Sequence, residues 1–137
     1  MMIRRALELV RALWTMTVIE TSLRTVDLPA TCRRLRLRLD LKSETPPGMD
    51  PVVLPRNTRA AMWAARAVIS RWPAGDTCLR RCLLIGHRLR ALDPVLRIGV
   101  KRDAQGTFAA HSWLEIRGRT LDPTATEYAV LSSAGEA

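Results

Sequence analysis

Three residues of this 137-residue chain have the types and the order of a nucleophilic site: Cys78 in DTCLRRCLLIGHRL, His111 in FAAHSWLEI, and Asp122 in the TLDP that follows. A thiolate attacks carbonyl carbon, an imidazole takes the thiol proton and returns it to the leaving group, and a carboxylate holds the imidazole in one tautomer and stabilises its cation. Asp76 is the expected N-cap of a helix that ends near Leu92-Asp93-Pro94, which places Cys78 in the first turn. Unpaired N–H groups and the positive end of the helix dipole favour a thiolate there.

Helical phase and strand register decide which histidine serves the thiol. His87 lies on the same helix but about half a turn round from Cys78 and more than two turns along, so it reads as a surface histidine among arginines. The expected inward side of that helix is Cys78, Leu79, Cys82, Leu83, Ile85, Gly86 and Leu89, with Arg80, Arg81, His87, Arg88 and Arg90 outward. His111 is therefore the expected base. A two-residue turn at Arg117-Gly118 would pair Ile116 with Arg119, Leu114 with Leu121 and Trp113 with Asp122, making Asp122 the diagonal neighbour of His111 on one sheet face. A slip of one residue would separate them. Zinc held by Cys78, Cys82, His87 and His111 is the weaker reading, because C-x₃-C with ligands scattered over two sides of a helix is poor metal spacing.

The elements that must position these residues follow from periodicity. Residues 2–23 carry Ile3, Ala6, Leu7, Val10, Leu13 and Trp14 at helical spacing, the pattern of a core or lid helix and also of a helix lying on a membrane surface. Residues 30–42 are ambiguous: Leu35, Leu37, Leu39 and Leu41 alternate as in a strand, whereas Pro29 suits a helix start. SETPPGMDPVVLPRN sustains neither helix nor central strand. A helix capped at Asn57 or Thr58 then runs to about Trp72, with Ala61, Met62, Ala65, Val68, Ile69 and Trp72 inward. Trp63 lies off that face with Arg59 and Arg66, covered by the N-terminal helix or free to dock a partner. VLRIGVKR, FAAHSWLEI and RTLD read as strands. The expected organisation is an N-terminal helical segment at 1–45 packed on the core, a proline-rich linker at 46–56, a catalytic core at 57–131 and a loose tail at 132–137.

Composition narrows the function classes. A chain of this length buries one core and one site, and 47% hydrophobic with 26% charged residues is globular rather than disordered. Three cysteines are too few for a small disulfide scaffold, and Glu8, Arg11 and Glu20 interrupt any apolar span, so a reducing, cytoplasmic setting is expected. The net charge of +9 calls for acidic partners, but residues 1–76 hold 13 basic and 7 acidic side chains against 9 and 6 in the remainder, so no basic tail exists. One Tyr and one Phe offer little for stacking bases, which argues against a nucleic-acid binder.

The run CLRRCLLIGHRLRALDPVLRIGVKRDAQGTFAAHSWLEIRGRTLDP, within residues 75–124, resembles the transglutaminase-like cysteine proteases of lasso-peptide maturation, in the form of the stand-alone leader peptidase. A CLxR helix, an LRIGV strand, an F-x-AH-x-W strand and a following aspartate stand in the same order and spacing. The resemblance implies an α+β transglutaminase-like or papain-like core: a catalytic helix packed on a small antiparallel sheet, preceded by N-terminal helices. It also implies Cys78 as nucleophile, His111 as base and acid and Asp122 as orienting carboxylate, with no cofactor and no metal. The implied partners are a precursor leader peptide, a separate leader-recognition protein and the lasso cyclase. Apart from the resemblance, Trp63, Arg59, Arg66 and Trp113 are the candidate substrate- or partner-contacting residues. A transglutaminase or amidase, in which an amine replaces water, shares the triad; a basic nucleic-acid-binding or scaffold protein with incidental cysteines is the non-enzymatic alternative.

Overall fold

Residues 2–25 contain neither glycine nor proline and form one helix, α1 (Met2–Thr25), which stops where Val26 turns extended ahead of Pro29. The computed structural model describes residues 1–42, 48, 50, 52–102, 104–121, 129 and 130. Asp27 caps α2 (Leu28–Arg34) by accepting the Ala30 N–H at 2.9 Å, with Pro29 in the first turn where its missing donor costs nothing. The chain then reverses at Arg36, φ 55°, into β1 (Arg38–Leu39). Residues 30–42 are thus helix first and strand second, which resolves their mixed signal. A 3-10 turn at Arg56–Thr58 leads into α3 (Arg59–Ser70), and α4 spans Cys78–Arg88.

The second half is β. Strands β2 (Val95–Arg102) and β3 (Phe108–Ile116) form a long antiparallel pair in which Gly99 faces His111 and Arg97 faces Trp113. β4 (Arg119–Thr120) continues antiparallel to β3, while β1, parallel, and β5 (Ala129–Val130), antiparallel, share the other edge of β2. Helices followed by a small mixed sheet make an α+β fold.

The core lies between the sheet and three helices. Ala12, Met16 and Ile19 of α1 meet Ala65, Val68 and Ile69 of α3 and Leu83, Leu84 and Ile85 of α4, all buried. α4 is central, covered by the sheet on one side and by α1 and α3 on the other. A Cβ at Gly86 would come within 2.8 Å of the Leu37 side chain and 3.2 Å of that of Leu114, so glycine lets these two leucines pack directly on the helix backbone. Among the described residues, no helix is long and apolar enough to cross a membrane.

Two expectations about faces are overturned. The stripe Ile3, Ala6, Leu7, Val10, Leu13 and Trp14 points away from the core, with Ile3 86% and Trp14 70% exposed. The inward side is Glu8, Ala12, Thr15, Met16, Ile19 and Ser22. On α4, Arg80 and Arg88 are not solvated: they turn against α1, where Arg80 makes a two-pronged pair with Glu20 at 2.8 and 2.9 Å and Arg88 pairs with Glu8. Ion pairs therefore join two helix faces that a purely apolar pattern cannot identify. Leu84, absent from the expected inward set, is fully buried for the same reason: α4 is enclosed on both sides.

Candidate active site

The sequence TCLR at the start of α4 places the thiol. Thr77, not Asp76, is the N-cap: its Oγ1 accepts the Arg80 N–H at 3.2 Å, and its extended backbone leads directly into Cys78, the first helical residue. Asp76 instead pairs with Arg81. The one-residue shift strengthens the electrostatic argument, because Cys78 now occupies the outermost helical position, where the backbone N–H has no intrahelical acceptor.

The β3 strand brings its chemistry to that helix end. Cys78, His111 and Ser112 line one cleft of about 670 Å³, together with Cys82, Trp113 and Leu114. Burial opposes ionisation of the Cys78 thiol, but hydrogen bonding by the Ser112 side chain and backbone and by His111, with the charge His111 can carry, outweighs it and lowers the pKa below the usual thiol value. Ser112 is 5% exposed, and its Oγ finds no hydrogen-bond partner among the described residues. Ionisation of the thiol supplies one. Cys32, by contrast, is buried, and burial pushes its thiol up to about 11.

His111 is held from behind. Its ring stacks on Trp113 with centroids 6.3 Å apart and planes at 26°. The Trp113 indole N–H donates to Glu115 at 2.8 Å, and Arg97, directly across the β2–β3 pair from Trp113, clasps the same carboxylate at 3.2 and 3.4 Å. Trp113, Glu115 and Arg97 are all buried, so this polar chain fixes the tryptophan that flanks the imidazole. The network was legible in principle, since 111, 113 and 115 share one strand face and Arg97 sits opposite.

The hairpin has the register expected of it as far as the structure describes. Arg117 and Gly118 both have positive φ, 54° and 76°, as a two-residue type I′ turn requires. Ile116 pairs with Arg119, and the Leu121 N–H reaches the Leu114 carbonyl at 2.9 Å. Asp122 and its place beside His111 lie outside the described residues.

His87 does not join the site. It lies among Arg90, Arg88 and Arg36 as expected, but half-buried rather than fully solvated: it donates from Nδ1 to the Leu35 carbonyl at 2.8 Å, tying the end of α4 to the end of α2. Burial lowers its pKa, and the charges of Arg90, Arg88 and Arg36 act in the same direction. Among the described residues, no three His, Cys, Asp or Glu side chains gather into a metal-binding group. Arg59, Arg66 and Trp63 lie together on the outer side of α3; Trp63 is 42% exposed, with the Arg5 guanidinium 5.1 Å from its ring centroid. Trp113, expected to touch substrate or partner, is instead almost wholly buried behind the imidazole, although part of it lines the cleft.

A thiol at a helix N-terminus, with an imidazole and a hydroxyl donor on the adjacent strand, can form and stabilise a thioester. The model of a family described as the transglutaminase-like superfamily matches residues 6–133 of the chain. No curated protein and no solved structure matches it.

Proposed function

Because the chain belongs to the transglutaminase-like superfamily, whose members typically work through a catalytic cysteine, we propose that it is a cysteine peptidase that removes the leader from a ribosomally made lasso-peptide precursor. The observation that carries this reading is the position of Cys78 as the first residue of α4, in a cleft it shares with His111 and Ser112 of the neighbouring strand. The narrower assignment rests on the resemblance of the run from Cys78 through the AHSW strand to the aspartate in TLDP.

His111 takes the Cys78 proton, and the thiolate attacks the carbonyl carbon of the last leader residue. The carbonyl π pair moves onto oxygen, where the Cys78 N–H at the start of α4 can donate to it. Collapse breaks the C–N bond, and His111 delivers its proton to the departing amine. Water, deprotonated by the same imidazole, then cleaves the thioester and restores the thiol. Asp122 fills the orienting role toward His111 in this scheme. The reaction needs no metal or cofactor.

We place the reaction in the cytoplasm, with delivery by a separate leader-recognition protein and consumption of the freed amine by the lasso cyclase. The outward apolar stripe of α1 is the surface on which the recognition protein would sit: Glu8 and Glu20 turn inward onto arginines, so the outer side presents only apolar, neutral and basic groups. The test mixes the protein, the recognition protein and the precursor, and follows masses over time. Wild type is expected to yield two fragments that together exceed the precursor by one water, and Cys78→Ala none. Cleavage surviving in Cys78→Ala removes the thiol as nucleophile, whereas a product joined to an added amine without hydrolysis indicates acyl transfer instead.

A further inference from the structure

The cleft at the thiol does not end at the active site. It opens past Arg66 and Ser70 into a second hollow of about 630 Å³, between the outer side of α3 and a wall made by Leu54 and Pro55. The two hollows share Leu54, Met62, Arg66 and Ser70, so they adjoin along α3, and we treat them as one groove running from Cys78 past Arg66 to Arg59. Arg59, Met62, Trp63, Arg66 and Ser70 fall at i, i+3, i+4, i+7 and i+11, a single stripe down α3. At about 1.5 Å per residue, Arg59 and Arg66 stand roughly 10 Å apart, the span of about three residues of extended peptide.

The charges in this groove select its occupant. α3 contains no acidic residue, and Arg59 and Arg66 pair with no carboxylate among the described residues. Other arginines nearby are engaged: Arg81 with Asp76, Arg80 with Glu20, Arg97 with Glu115. Between the two unpaired guanidinium groups lie Met62 and the exposed edge of Trp63, which offer apolar contact to the intervening side chain.

We infer that this groove binds an extended acidic segment of the peptide substrate, with one carboxylate at Arg66 beside the scissile bond and a second at Arg59 about three residues further out. The inference rests on the peptidase reading and adds to it the chemistry of the substrate. An arginine fork holds each carboxylate by paired N–H donors, while the backbone lies extended along the Leu54–Pro55 wall.

The test uses the full-length Cys78→Ala protein and two fluorescein-labelled Gly/Ser/Ala decapeptides, one containing Glu-Ala-Ala-Glu and one Lys-Ala-Ala-Lys, with binding read by anisotropy at low salt. The glutamate peptide is expected to bind about tenfold tighter, and Arg59→Glu with Arg66→Glu is expected to reverse the order. Arg33→Glu with Arg36→Glu, which removes the same charge at the end of α2, is expected to leave the preference for glutamate in place. Equal affinity for both peptides, or equal loss in both double variants, overturns the groove. Because binding is measured without the thiol, a wild-type protein that binds the glutamate peptide yet never cleaves a precursor sinks the peptidase reading alone.

Discussion

The Ser112 hydroxyl is the least expected participant. It is buried, has no partner among the described residues and lies at the Cys78 thiol, so its hydrogen bond to sulfur favours the thiolate. Ser112→Ala should therefore raise the thiol pKa toward its ordinary value and slow alkylation near neutral pH several-fold, with the same limiting rate at high pH. A pH–rate profile with iodoacetamide measures this, and an unshifted profile would deny Ser112 the role. The same reagent near pH 8 should label Cys78 first, since Cys32 stays protonated up to about 11 and Cys82 is buried one turn deeper on α4. Cys78 and His111 were legible because their chemistry is rare in a chain with three cysteines and two histidines. Ser112 was not. Strand alternation assigns it to the face opposite His111, and only the position of the helix end shows that the thiol reaches both.

Among the elements, the β3–β4 hairpin does most to define the site, because its turn sets the register of the strand after His111. Arg117 occupies a left-handed conformation, φ 54°, that a residue with a Cβ adopts at a cost. Arg117→Asn produces the Asn-Gly pair that type I′ turns favour, and should stabilise the fold by about 0.5–1 kcal/mol without altering thiol reactivity. Thermal melts check this; a lower melting temperature would mean that the Arg117 side chain contributes more than its backbone strain costs. The hairpin was readable because two residues, one of them glycine, separate two alternating runs. The α2–β1 segment was not, since its leucine period extends through a helix end: Leu35 and Leu37 are buried outside any strand, and only Leu39 of the four pairs in the sheet. The cap was misplaced by one residue for a related reason, because Asp76 and Thr77 both suit the position and only the fold shows Asp76 turned toward Arg81.

At the scale of the whole molecule, α1 is tied to α4 by charge as much as by apolar contact, and this governs both its acid stability and its outer face. Arg80 holds the Glu20 carboxyl at about 2, against partial burial and with help from the Trp72 indole N–H. A carboxyl lowered on folding stabilises the native state above its ordinary pKa near 4.5, and that contribution is lost as pH falls from there toward 2. His87, lowered from 6.5, acts at higher pH: the unfolded chain takes up the proton first, so stability begins to fall below about 6.5. Glu20→Gln should cost about 2 kcal/mol at pH 7 and flatten the lower of the two acid steps, read from denaturant melts across pH. These inward acids explain why the apolar stripe of α1 was misread: the helix is apolar on both sides, and periodicity alone cannot choose between Met16 with Ile19 and Val10 with Trp14. A stripe that contributes nothing to the core can be altered without unfolding the protein. Val10→Asp with Trp14→Asp should leave the melting temperature and Cys78 alkylation unchanged, because both side chains are more than half exposed. If the stripe seats the leader-recognition protein, the same variant should lose co-purification with that partner and process the precursor at least tenfold more slowly. Retained association would free this face of the docking role and move it elsewhere on the basic surface.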